Sequence, residues 1–211
     1  MSNPYFRFKQ FTVWHDRCAM KVGTDGVLIG AWCDVDACRR ILDVGCGTGL
    51  ISLMIAQRTP DRTMIEGVEI DAVAAEQAAE NTDRSPWKNR LRIHTSDFLD
   101  FATSAIVRYD HIVSNPPYIA TAVLQELMPE VIEHEPKRAL DGHEDGLYFY
   151  RQIIADAPSY LKPGGWILFE IGYDQGESVP ALLTEAGFTE ITVIKDYNGN
   201  DRVVRARLHD L

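Results

Sequence analysis

The 211-residue sequence has no apolar run near the roughly 20 residues that a membrane-spanning helix requires. Its opening, MSNPYFRFKQF, lacks the apolar stretch of a secretory signal. A cytoplasmic chain with no membrane partner is the expectation. Cysteine is scarce: Cys18, Cys33, Cys38 and Cys46 form no C-x-x-C pair, and no histidine cluster accompanies them. That argues against zinc, and no metal is expected. The cysteines read as free thiols, with Cys46, set between two glycines, a small filler rather than a nucleophile. The six histidines show no ligand spacing, and none is given a role, His15 and His143 included.

Basic charge is also short. Twenty-one Lys and Arg face 31 Asp and Glu, a net charge of −10. This argues against a sequence-blind nucleic-acid binder, which needs a broad basic surface. The deficit is uneven. Residues 1–24 carry Arg7, Lys9, Arg17 and Lys21 against Asp16, a net of +3, which leaves −13 elsewhere. A local basic arm could touch phosphates; a solvated N-terminal surface is the plainer reading. There is no internal repeat, low-complexity tract or Pro/Gly/Ser linker. One domain over 1–211 is expected, with 1–35 as an arm or cap, and the chain is expected to be a monomer.

What is present is alternation. Short β-branched runs at 41–45, 64–70, 91–95, 109–115, 166–172, 191–196 and 202–208 read as strands. Helical patterns at 50–58, 72–83, 146–161 and 177–186 fall between them. The fold class is therefore α/β, a doubly wound, mostly parallel seven-stranded sheet. The last two strands leave no room for a helix, and Asn-Gly at 198–199 signals a hairpin, so the sheet should end antiparallel. Residues 1–30 show no clear period.

Such sheets bind ligands beyond the carboxyl ends of their strands. The first strand of the alternation runs into Asp43-Val44-Gly45-Cys46-Gly47-Thr48-Gly49. Gly45, Gly47 and Gly49 are spaced G-x-G-x-G, whereas the dinucleotide fingerprint wants a glycine where Leu50 stands. An NAD-dependent oxidoreductase is the structural competitor, and this spacing counts against it. S-adenosylmethionine (SAM) has no pyrophosphate and needs only a tight loop of bare backbone. Asp43 could hold its amino group, directly or through water. Glu69 ends the second strand, where an acid can accept both ribose hydroxyls. Asp97 could accept from an adenine amine, although Asp after a strand is also a common helix cap. Phe98 could pack on the adenine ring.

The fourth strand runs into Asn115-Pro116-Pro117-Tyr118. Two prolines fix φ and remove two N–H donors. The Asn115 side-chain oxygen and the Pro116 carbonyl are left as aimed acceptors. A planar NH2 group has two protons to give them, and holding both turns its lone pair toward a methyl sulfonium. Tyr118 offers a stacking face. This chemistry needs positioning rather than a strong base or a metal.

With these motifs in order, the chain resembles the class I SAM-dependent methyltransferases over residues 40–208. NPPY resembles the branch that methylates exocyclic adenine or cytosine nitrogens or glutamine amides. Residues 6–32, 50–59 and 85–97 look like the bacterial tRNA(Val) adenine N6 methyltransferases. That likeness implies a segment around 21–26 closing over the methionine end of SAM, with Thr24 donating to its carboxylate. Residues 114–119, 129–154, 162–176 and 200–206 look like the release-factor glutamine N5 methyltransferases. A change of likeness near residue 110 suggests a chimera joined at the fourth strand; a native protein sampling both ancestries is the alternative.

The resemblance leads first to tRNA adenine N6 methylation. Glutamine N5 methylation of a release factor is second, and a chimeric scaffold binding SAM without efficient turnover is third. The release-factor enzymes carry a helical N-terminal domain, for which about forty residues before the first strand leave no space. Against tRNA, residues 124–145 carry Glu126, Glu130, Glu133, Glu135, Asp141, Glu144 and Asp145 with Lys137 and Arg138, a net of −5 that would repel phosphates.

Overall fold

The computed structural model describes residues 3–18, 20–104, 107–124 and 137–209. A small hairpin, β1 (Tyr5–Arg7) with β2 (Thr12–Trp14), opens the chain, and α1 (Thr24–Trp32) follows. Then β3 (Arg40–Val44), α2 (Leu50–Arg58), β4 (Met64–Glu69), α3 (Ala72–Asp83), β5 (Leu91–Thr95) and α4 (Phe98–Ser104) alternate. After β6 (Tyr109–Ser114) the described residues form two single turns, α5 (Thr121–Leu124) and α6 (Lys137–Leu140), then α7 (Tyr148–Tyr160). The chain closes with β7 (Leu161–Glu170), α8 (Ser178–Glu185), β8 (Phe188–Lys195) and β9 (Asp201–Leu208).

Seven strands make one sheet in the order β5-β4-β3-β6-β7-β9-β8. The first five are parallel, and β9 runs antiparallel to both its neighbours. The α/β sheet with an antiparallel end thus stands as expected. Its strands are apolar on both faces because both are covered. Ile41 and Val113 pack toward α1 and α2, while Leu42 and Ile112 pack toward α7 and α8. The closing hairpin turns over Asp196–Asn200, where the Asp196 carboxylate accepts from the Asn198 and Asn200 amides at 2.8 and 2.9 Å.

Two features exceed the sequence reading. β7 starts at Leu161, five residues before the expected Trp166, because Lys162–Gly165 join through a register shift against β6. Residues 1–30, which have no clear period, hold a hairpin and a nine-residue helix. Three-residue strands are too short to display a period. α1 is apolar on most sides and lies close on α2: a β-carbon at Gly30 would sit 2.9 Å from Met54 Cβ.

Among the described residues no helix is long and apolar enough to cross a membrane. Nor does any group of three His, Cys, Asp or Glu there stand ready to hold a metal ion.

Candidate active site

The order of strands reverses between β3 and β6. The chain steps outward from β3 through β4 to β5, then returns to lay β6 on the other side of β3. A crevice opens at such a switch point, beyond the carboxyl ends of the strands. The glycine loop leaves β3 on one side of it and Asn115 leaves β6 on the other. Ser114 ties the two strand ends by donating its hydroxyl to the Val44 carbonyl at 2.7 Å.

The glycine loop is built for close approach. Gly45 and Gly47 have φ of 70° and 53°, and a β-carbon on either would meet no atom within 4 Å. Bare backbone therefore borders open space. Gly49 instead packs on α3, where a β-carbon would lie 3.5 Å from Ala78 Cβ. Cys46 turns inward, fully enough that a β-carbon at Gly67 would come within 2.9 Å of its sulfur. Burial holds its thiol protonated far above neutral pH, as expected of a filler.

Asp43 is wholly buried. Its Oδ2 accepts from the Ser52 amide at 3.0 Å and the Ser52 hydroxyl at 2.7 Å. It thereby serves the first turn of α2, whose preceding residue, Gly49, has no side chain to do so. Its Oδ1 is buried and accepts from no described residue. Burial, eased by the Ser52 hydrogen bonds, raises this carboxyl to about 7. A cationic donor reaching Oδ1 would satisfy the orphan oxygen and restore the charge.

Glu69 ends β4 and accepts from the Gly47 amide at 2.8 Å and the Asp71 amide at 2.9 Å. The two bonds hold the carboxylate against the loop, and each oxygen keeps a further lone pair. Asp97 accepts from the Leu99 amide at 2.8 Å, so it does cap α4. Phe98 is half-buried, its ring edge-on to Tyr160 at 6.0 Å. Thr24 is exposed at the start of α1. That helix end lies beside the glycine loop, since a β-carbon at Gly26 would sit 3.1 Å from Leu50 Cδ2.

Across the crevice, Asn115 is half-buried and Pro116 buried. Tyr118 is partly buried against the core, its hydroxyl 3.4 Å from Glu170 Oε1. Glu170, at the end of β7, is 1% exposed and was missed in the sequence, where it reads as one letter of an apolar strand. A charged residue inside WILFEIG was the available signal. Burial and the nearby Asp25 carboxylate raise it to about 8, against the pull of Arg202.

The N-terminal basic arm divides. Arg17 pairs with Glu80 at 2.7 Å and Glu76 at 3.4 Å, while Arg7 and Lys9 stand exposed beside exposed Tyr5 and Phe6. A cleft of about 420 Å³ lined by Trp14, Asp16, Arg17, Gln77, Glu80 and Arg84 opens on this side, and none of the candidate residues lines it. Of the acidic stretch, Glu126, Glu130, Glu133 and Glu135 lie outside the described residues. Asp145 pairs with Arg151, and Asp141 accepts the Thr121 hydroxyl at 2.6 Å. His15 is a core histidine, accepting from the Val22 amide at 3.1 Å and bonding the Asn3 carbonyl at 2.9 Å.

The profile of the methyltransferase small domain family matches residues 27–144. A tRNA1(Val) (adenine(37)-N6)-methyltransferase of Parabacteroides distasonis is 44% identical over 185 residues, 88% of this chain and 73% of that protein. One from Yersinia enterocolitica is 58% identical over 118 residues, 56% of this chain and 47% of its own. Among solved structures, a SAM-dependent O-methyltransferase of Thermotoga maritima superposes with a TM-score of 0.65 at 15% identity, covering 92% of this chain and 68% of its own. The likeness to one natural protein thus runs across residue 110, and a junction there finds no support.

Proposed function

The chain belongs to the methyltransferase small domain family, and on that premise we propose that it methylates the exocyclic N6 nitrogen of an adenine in tRNA. It is a SAM-dependent methyltransferase. The observation that carries transfer to a planar NH2 nitrogen is the placement of Asn115-Pro116-Pro117-Tyr118 directly beyond β6, across the switch point from the glycine loop.

The residues on the loop side fit SAM. Asp43 offers a buried, unpartnered oxygen to the amino group, and Gly45 and Gly47 offer bare backbone. Glu69 would accept from the ribose hydroxyls and Asp97 from the adenine amine, and Thr24 would donate to the carboxylate. When bound, SAM supplies a methyl group already activated by its sulfonium. The work left to the chain is orientation. The Asn115 side-chain oxygen and the Pro116 carbonyl would accept hydrogen bonds from the two N–H groups of the substrate NH2, and the Tyr118 ring would support the flat base.

A glutamine carboxamide presents the same two N–H groups, so release-factor glutamine is the competing acceptor. Two observations support the nucleic-acid reading. The relatives named above are tRNA enzymes, and the β1–β2 hairpin exposes Tyr5, Phe6, Arg7 and Lys9 together. Flat rings interleaved with cations suit bases and phosphates. The test offers tRNA, release factor and free adenosine side by side with radiolabelled SAM, using Asn115→Ala as control. Methyl transfer to tRNA that is abolished in Asn115→Ala is expected. Transfer to release factor alone would overturn the adenine assignment, and equal transfer by both proteins would overturn the role of Asn115.

A further inference from the structure

The carboxamide of Gln175 holds the far end of the Asn115–Tyr118 loop. Gln175 lies in the turn after β7 and is 7% exposed. Its Nε2 donates to the Tyr118 carbonyl at 3.0 Å and to the Gly146 carbonyl at 3.2 Å. Its Oε1 accepts from the Gly172 amide at 3.0 Å and lies 3.3 Å from the Tyr150 hydroxyl. Both amide protons and the oxygen are therefore engaged, and the orientation of the group is dictated by its partners: two carbonyls on one side, an N–H on the other.

The surrounding backbone is cut to fit. A β-carbon at Gly146 would sit 2.3 Å from the Tyr118 oxygen and 3.0 Å from Gln175 Nε2. One at Gly142 would sit 2.8 Å from Tyr118 Cα, and one at Gly172 would sit 3.2 Å from Gln175 Oε1. Tyr150, wholly buried, is anchored by its hydroxyl to the Glu170 carbonyl at 2.7 Å, so α7 and the end of β7 brace the clamp. Side chains fixed in this way set the position of whatever they hold.

We infer that Gln175 is a positioning residue for methyl transfer: by gripping the Tyr118 carbonyl from the end of β7, it sets where the Asn115 oxygen and Pro116 carbonyl hold the substrate nitrogen. This rests on the proposed role of the Asn115–Tyr118 loop. Gln175 acts through the loop it holds, since its bonds go to Tyr118, Gly146, Gly172 and Tyr150. Its effect is on the alignment of the nitrogen with the methyl donor, so it enters turnover rather than SAM affinity.

The test compares Gln175→Glu, which keeps the size but puts an acceptor against two carbonyls, with Gln175→Met, which removes all four bonds. Turnover on tRNA is measured with SAM affinity by calorimetry, and Asn115→Ala is carried alongside. A roughly hundredfold fall in kcat with unchanged SAM affinity, in both variants, is the expected result. Near wild-type kcat beside an inactive Asn115→Ala overturns the inference alone. An active Asn115→Ala overturns the reading beneath it. Loss of SAM binding in both Gln175 variants also overturns the inference, because the residue would then be a structural support of the whole fold.

Discussion

Gly146 lies directly under the carbonyl of Tyr118: a β-carbon there would come within 2.3 Å of that oxygen, in a residue whose φ is 74°. The contact joins the loop after β6 to the turn before α7, two segments brought together only by folding. Gly146→Ala should cost roughly 1–2 kcal/mol for the left-handed backbone and should also push Tyr118 from its place. Methyl transfer should fall more steeply than thermal stability accounts for. A variant with unchanged kcat after the stability loss is allowed for would show that Tyr118 tolerates displacement.

Asp43 and Glu170 make the unliganded protein sensitive to alkali. Each has its folded-state pKa raised above the unfolded carboxyl range near 4, to about 7 and about 8. Between those values the folded state binds protons that the unfolded state has released, so stability falls as pH rises through the folded pKa. Urea midpoints should therefore decline from pH 5 to pH 8. Asp43→Asn should flatten the part of the decline that ends near 7. A wild-type midpoint that rises across this interval would contradict the assignment.

SAM affinity should carry the opposite slope from the same residue. If ionised Asp43 holds the ammonium group of SAM, as proposed, binding measured by calorimetry should tighten as pH rises toward 7 and then level. In Asp43→Asn the affinity should be weaker and independent of pH in that interval. The same pH-dependent tightening in the variant would exclude Asp43 as the partner of the amino group.

Arg90 offers a test of stability away from chemistry. It is 5% exposed and donates to the carbonyls of Ala56, Thr59 and Thr63 and to the Thr59 hydroxyl, closing the end of α2. Arg90→Met removes these donations, leaving the Ala56 carbonyl only its longer 3.3 Å bonds from the Thr59 amide and hydroxyl, and should destabilise by about 3 kcal/mol. SAM affinity at low temperature should be unchanged. A denaturation midpoint like that of the wild type would mean that water replaces the guanidinium.

The hairpin prediction concerns salt. If Arg7 and Lys9 each contact a phosphate, replacing either by Ala should weaken tRNA binding and lower the slope of log affinity against log salt by about 1. Free adenosine should be methylated equally by both proteins. Unchanged tRNA affinity in the double variant would move the RNA surface elsewhere.

The alternation of β-branched runs with amphipathic ones determined the sheet, its parallel body and its antiparallel end, because burial on both faces writes itself into local composition. Asp43 to Gly49, Glu69, Asp97 and Asn115 to Tyr118 were legible for the same local reason. Each sits where a strand runs into a short turn. Residues 5–32 were not legible, since three-residue strands and an all-round apolar helix show no period. Glu170 and Gln175 needed the tertiary structure. Nothing near them in sequence says that β7 returns beside β6, and a buried carboxyl or carboxamide acquires its meaning only from the groups that folding places against it. Local composition alone says which strand ends carry the candidate chemistry. The packing of β6, β7 and α7 around Tyr118 decided how that chemistry is held.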